Sequence, residues 1–164
     1  MADYLKRHPE KNISSLKAAF VASEVLTEAG RETIERNLRV PIFNHYGLAE
    51  QIMMLGECEE HQGLHHYDEY GYMELIDIKG SDHKRIIGTN FNNFAMPHIH
   101  YDTGDFAVMS ENKCTCSRSS LIVENIGGRV NAPILCEGDF EISSQNINTM
   151  LEPYQDYFVE WQFV

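Results

Sequence analysis

The chain has 164 residues, 43% of them hydrophobic and 23% charged, with a formal net charge of −12. That length fits one domain able to bury roughly two-thirds of its unfolded surface, and the acidic balance argues against nucleic acid and anionic membrane as partners. No apolar run approaches the ~18–20 residues of a membrane span and no apolar leader follows Met1, so the expectation is a cytoplasmic protein.

The first strand candidate is Leu16–Ala22, an apolar run that reads as buried and is closed by Ser23 and Glu24. Thr27 then stands as N-cap for a helix reaching about Leu38. In it Ile34 and Leu38 repeat at i, i+4, while Glu28, Arg31, Glu32 and Glu35 supply the wet side. Val40–Phe43 is the next strand, and the strand–helix–strand order predicts a βαβ unit with a partly parallel sheet.

Past Glu50 the pattern changes. Tyr72–Ile78, Arg85–Thr89, Phe106–Met109 and Leu121–Val123 are short strand candidates separated by Gly, Asp, Asn or Lys. Cys136-Glu137-Gly138-Asp139 reads as a hairpin turn, Ile142–Leu151 as a small helix and Tyr157–Val164 as a final aromatic strand. The fold class is therefore α/β, with a βαβ-type first half and a β-rich second half. No repeat, low-complexity tract or linker divides it.

Three blocks carry the chemistry: Asn44-His45-Tyr46-Gly47-Leu48-Ala49-Glu50, Tyr101-Asp102-Thr103-Gly104-Asp105 and Gly127-Gly128-Arg129. A glycine lets the backbone approach a flat ring, a tyrosine offers a stacking face, and a carboxylate suits a hard ion such as magnesium. The plain alternatives are a strand-end turn with a surface glutamate, and a Thr-Gly turn between two strands with Asp105 at its corner.

In this order and at these separations the blocks resemble the nucleotide-binding half of the adenylate-forming ligases. The phenylacetate–coenzyme A ligases and their capsule-biosynthesis relatives are the nearest in likeness. The likeness runs from Met1 to about Trp161, and Phe94-Ala95-Met96-Pro97-His98-Ile99 fits the family's lead-in to the second block. It implies an enzyme that adenylates a carboxylic acid with ATP and then forms a thioester with coenzyme A. Residues 1–129 would be part of the second subdomain of the large domain, and 130–164 the start of the small one. By the same resemblance Asn44, His45, Tyr46 and Gly47 border the adenine, Glu50 helps hold magnesium as the catalytic carboxylate, and Asp105 accepts both ribose hydroxyls. Arg129 contacts ribose or phosphate at the junction of the two domains. A bidentate carboxylate is a natural partner for a cis-diol, each charge-assisted bond being worth ~1.5–3 kcal/mol.

Departures from the family pattern are as specific as the matches. Ala49 stands where Thr or Ser is usual, His100 where arginine is usual, and Asn131 and Ala132 at positions usually acidic. The family's phosphate loop and its C-terminal lysine find no counterpart in these 164 residues. Loss of one such electrostatic group commonly costs ~10²–10³-fold in rate, so the chain alone is expected to be inactive. The rival readings are a degenerate, non-catalytic paralogue that keeps a nucleotide pocket or a zinc-stapled fold, and one half of a split ligase. Either a homodimer or a complementary ligase fragment is the expected protein partner.

The resemblance also implies a structural metal. Glu57-Cys58-Glu59-Glu60, a following histidine and Lys113-Cys114-Thr115-Cys116 match a family segment that binds zinc through three cysteines and one histidine. The set here is Cys58, His65, Cys114 and Cys116, with His61 and His66 near enough to replace His65. Three thiolates and one imidazole satisfy tetrahedral zinc. The alternative is two buried thiols beside an exposed histidine-rich loop. Cys136 reads as a small core residue, Met53-Met54 as core, and His98 and His100 as flanks of Ile99 on a strand.

Overall fold

The computed structural model describes residues 2–8, 15–23, 25–110, 113–129, 134–136, 140–142, 150–151 and 154. A short helix, Ala2–Arg7 (α1), lies against a longer one, Glu28–Leu38 (α2). Between them runs Ala19–Val21 (β1), and after α2 comes Ile42–Gly47 (β2). β1 and β2 pair in parallel, Val21 opposite Asn44, so the expected βαβ unit is present. The Thr27 side chain accepts a 3.1 Å hydrogen bond from the Gly30 amide, and Arg39 closes the helix in the left-handed region at φ 59°.

Two expectations for this half need correction. The strand is three residues rather than seven, and it is not buried: Phe20 is 69% exposed. β1 is the edge of the sheet, with β2 on one side only, so its apolar run does not mark a central strand. Nor does α2 bury any residue fully. Ile34 and Leu38 are half-buried, because two large apolar side chains in eleven residues make too narrow a stripe to sink a helix into a core.

The rest is antiparallel. Met54–Glu57 (β3), Leu64–His66 (β4), Gly71–Asp77 (β5), His83–Asn90 (β6), Tyr101–Met109 (β7) and Ile122–Arg129 (β8) complete one eight-stranded sheet. Its order is β1-β2-β3-β4-β8-β7-β6-β5. The core sits on β3 through β8 and the segment just before β3, where Ile52, Met53, Leu55, Leu64, Met73, Ile86, Ala107 and Val123 form one buried cluster. Each large aliphatic side chain fully removed from water there contributes about 1.5–3 kcal/mol.

Ile134–Cys136 (β9) and Phe140–Ile142 (β10) pair antiparallel with Cys136 opposite Phe140. The hairpin expected at Cys136–Asp139 therefore has its two arms in place, residues 137–139 lying outside the described set. Ile142 ends a strand rather than starting a helix; of the expected helix only Met150 and Leu151 are described, and they are helical. Tyr157–Val164, Asn131 and Ala132 lie outside the described residues. Among the described residues no helix is long and apolar enough to cross a membrane.

Candidate functional site

β2 and β7 bring the first two blocks together. The Tyr46 hydroxyl donates a 2.7 Å hydrogen bond to Asp105 Oδ2, and the Tyr101 hydroxyl donates to Glu50 Oε1 at 3.5 Å. The third block reaches the same place through the backbone, because Arg129 on β8 stands opposite Asp105 on β7. Gly47 is exposed, and a Cβ there would meet nothing nearer than the Met53 carbonyl at 3.8 Å, so one side of the β2 end is open. Asn44 is tied by its amide to Glu57 Oε2 at 2.8 Å, and the His45 ring Nε2 lies 3.3 Å from the Tyr67 hydroxyl.

Tyr101-Asp102-Thr103-Gly104-Asp105 is not a turn between strands. It lies wholly inside β7. Its three last residues stretch over the distance that Ile86 alone covers on β6, since Ile87 pairs with Asp102 and Arg85 with Phe106. Gly104 at φ +76° makes that bulge possible, a backbone region costly for residues with a Cβ. Thr103 anchors it: its hydroxyl donates to the Ile86 carbonyl at 2.9 Å and accepts from the Asp105 amide at 3.1 Å.

The departures are also placed. Ala49 is exposed in the turn after β2. His100 sits at φ 52° with its amide on Thr89 Oγ1 at 3.0 Å and its ring 3.1 Å from Glu74 Oε2. His98 and His100 precede β7 rather than alternating on a strand. His98 is held by Asn90, which takes its amide at 3.1 Å and gives its own to the His98 carbonyl at 3.0 Å.

The second constellation closes on itself. One ligand atom each from Cys58, His65, Cys114 and Cys116 lies within 4.8 Å of the others. Cys58 Sγ and Cys114 Sγ are 3.4 Å apart, and Cys116 Sγ is 3.5 Å from His65 Nε2. Zinc at about 2.3 Å from sulfur and 2.0–2.1 Å from nitrogen needs tetrahedral edges of about 3.5–3.8 Å, so this donor set fits the ion. Of the three histidines considered, His65 is the one whose ring nitrogen lies within this group. His61 pairs with Glu57 at 3.1 Å and His66 with Asp68 at 2.8 Å, each by its Nδ1. His65 is buried and its Nδ1 is 3.3 Å from Ser120 Oγ, the kind of outer partner that fixes a ligand's tautomer.

The electrostatics of this donor set differ from residue to residue. Burial holds His65 below its ordinary value, with the Arg118 charge adding to it, which favours the neutral ring that can ligate. The Cys116 amide favours a Cys114 thiolate, but burial and the adjacent thiols of Cys58 and Cys116 outweigh it and push Cys114 up to about 11. Cys116 goes the other way: burial opposes ionisation, yet hydrogen bonds from the Arg118 backbone and side chain hold it below the usual thiol value. The two loops are stitched together by Arg118–Glu59 at 2.8 Å and by Thr115 to Gln62 and Glu60, both at 3.0 Å.

Reading the sequence alone misses Glu57, which joins both regions. Its carboxylate pairs with Arg31 from α2, takes the Asn44 amide and meets His61, and the next residue is the ligand candidate Cys58. Only its place inside Glu57-Cys58-Glu59-Glu60 could have drawn notice.

The chain has a known kind of fold. Chains of 2-hydroxyisobutyryl-CoA ligase superpose on it. The postadenylation state with 2-HIB-AMP gives a TM-score of 0.75 at 18% identity, covering 93% of this chain and 34% of that one. The open conformation with 2-HIB-AMP and CoA gives 0.70 at 17% identity, covering 93% and 40%. This is therefore part of the CoA-ligase fold. In sequence, the phenylacetate-coenzyme A ligase of Thermus thermophilus is 30% identical over 145 residues, 83% of this chain and 33% of that enzyme. The chain is a partial relative of the adenylate-forming ligases, spanning about one third of the length of the curated relative it matches. No protein-family model matches it.

Proposed function

We propose that these residues form the ribose- and magnesium-facing part of an ATP-dependent acid–thiol ligase of the phenylacetate–coenzyme A ligase type, working in the cytoplasm. The observation that carries this reading is the Tyr46–Asp105 hydrogen bond of 2.7 Å, which unites two motif blocks 59 residues apart. Asp105 would take the ribose diol, Tyr46, Gly47, Asn44 and His45 would border the adenine, and Arg129 would reach ribose or phosphate. Glu50 would share magnesium with the nucleotide phosphates, which fits an ion that uses one or two carboxylates and keeps phosphate and water as its other ligands. Magnesium there would neutralise phosphate charge during attack by the carboxylate. Cys58, His65, Cys114 and Cys116 would hold a structural zinc. Residues 1–129 would belong to the large domain and 130–164 to the small one.

A second reading has its own support. Exposed Ala49 brings no hydroxyl to the α-phosphate, and His100 is engaged with Glu74 instead of standing as a free cation. These favour a non-catalytic paralogue that keeps the pocket. On this reading the pocket binds nucleotide without activating a carboxylate, and the chain pairs with a second copy of itself or with a complementary ligase fragment.

Calorimetry with AMP and ATP at millimolar concentration tests the pocket. Binding that Asp105→Ala abolishes is the expected result; no heat from wild type leaves only the zinc-stapled fold. Pyrophosphate release on adding a separately produced phosphate-loop fragment, with a carboxylic acid and coenzyme A, separates the split enzyme from the paralogue. Light scattering reads the assembly.

A further inference from the structure

The two tyrosine–carboxylate contacts are crossed. Each motif block begins its functional stretch with a tyrosine and ends it four residues later with a carboxylate: Tyr46 with Glu50, and Tyr101 with Asp105. Neither tyrosine serves its own block. Tyr46 donates to Asp105 Oδ2 at 2.7 Å, and Tyr101 donates to Glu50 Oε1 at 3.5 Å. In both contacts the phenol engages one oxygen of the carboxylate, closely at Asp105 and at longer range at Glu50.

Both phenols are themselves well placed to hold still. Tyr46 and Tyr101 are half-buried and pack against the buried cluster that contains Leu55 and Ile86. The Tyr101 ring also takes the edge of His98 at 5.0 Å and 88°, and His98 is fixed from both sides by buried Asn90. A hydroxyl on a ring so restrained fixes its acceptor at little further entropic cost.

We infer that Tyr46 and Tyr101 are positioning residues acting across the two blocks: Tyr46 orients Asp105 for the ribose diol, and Tyr101 orients Glu50 for magnesium. This rests on the nucleotide reading above. It predicts that the functional effect of each tyrosine appears in the ligand contact of the other block. Tyr46→Phe keeps the ring face and removes the donor to Asp105. Tyr101→Phe keeps the packing against His98 and removes only the donor to Glu50.

The test uses the 164-residue chain and four probes: AMP, 2′,3′-dideoxy-AMP, and ATP with and without added magnesium. Tyr46→Phe is expected to reduce the preference for AMP over the dideoxy analogue by about tenfold while the gain from magnesium is unchanged. Tyr101→Phe is expected to reduce the magnesium gain by a similar factor with the AMP preference unchanged. A purely structural role for either ring would not divide the two ratios in this way. Carbon-13 carboxyl resonances give a ligand-free readout: Asp105 should move in Tyr46→Phe and not in Tyr101→Phe, and Glu50 the reverse.

Wild type that binds neither nucleotide overturns the nucleotide reading and this inference with it. Wild type that binds AMP, with variants that shift both ratios together, shift neither, or act within their own block, overturns the inference alone.

Discussion

Arg31 and Glu57 form an ion pair that joins α2 to the end of β3, with side-chain exposures of only 16% and 9%. Arg31 also donates to the Ile42 carbonyl at 2.8 Å, and Glu57 accepts from the Asn44 amide, so the pair clamps the first half of β2 against the helix. The strand that carries Tyr46 is thus set by a charge pair outside all three motif blocks.

Breaking that clamp from one side should be costly. Glu57→Ala takes the nearer carboxylate from the half-buried Arg31 guanidinium, which keeps Glu35 at 3.8 Å and the Ile42 carbonyl. The loss should therefore lie below the ~3–5 kcal/mol typical of a fully orphaned buried charge. Denaturant titration should show that loss, whereas the double change Arg31→Met with Glu57→Leu should recover most of it, because it removes both buried charges. Equal losses for the single and double variants would deny the pair this role.

Metal removal is the second test. Apparent binding free energies of structural zinc reach ~10–16 kcal/mol and count as folding free energy. Elemental analysis should find about one zinc per chain, a chelator should lower Tm markedly, and Cys114→Ser should reproduce the chelated state. A stable, metal-free purified protein would refute the zinc assignment.

Two glycines should respond oppositely to alanine. At Gly71 an added Cβ would sit 2.0 Å from the Ile52 carbonyl oxygen and 3.0 Å from that of Thr89, both backbone atoms with no freedom to step aside. Gly71→Ala should therefore cost about 1–3 kcal/mol or more by overpacking. Gly47→Ala meets open space and should leave the denaturation midpoint nearly unchanged, while it crowds any ring lying on the end of β2.

Ala49 offers a gain-of-function trial. Ala49→Ser puts back a hydroxyl at the position the family uses for the α-phosphate, on an exposed turn that can accept it. AMP affinity should rise about threefold to tenfold, the worth of one modest hydrogen bond. No change in affinity would mean that the phosphate does not pass over this turn.

How much of this was legible in the sequence follows from what each pattern encodes. Thr27 and the strand–helix–strand order were readable because caps and crossovers are local. β3 and β4 were not, since strands of four and three residues containing Gly56, His65 and His66 carry no alternation. The length of β7 was hidden by its own motif, where Thr103-Gly104 imitates a turn while the strand runs on. That His65, and not His61 or His66, joins the three cysteines needed three dimensions, because the three lie within six residues and differ in burial and in the direction of the ring. The clamp on Glu57 left no local trace, its partner Arg31 being 26 residues away.

The bulge at Gly104 has a consequence for how the motif can evolve. Beyond it, Ala107 is fully buried opposite a fixed neighbour on each side, Lys84 on β6 and Ile126 on β8. Side chains alternate faces along a strand, so adding or losing one residue between Tyr101 and Asp105 would turn every later side chain of β7 over. Ala107 would then point to water and Phe106 and Val108 into the core. The five-residue count of the motif therefore behaves as a reading frame for the sheet: substitutions inside it change a contact, but an insertion or deletion would garble everything downstream.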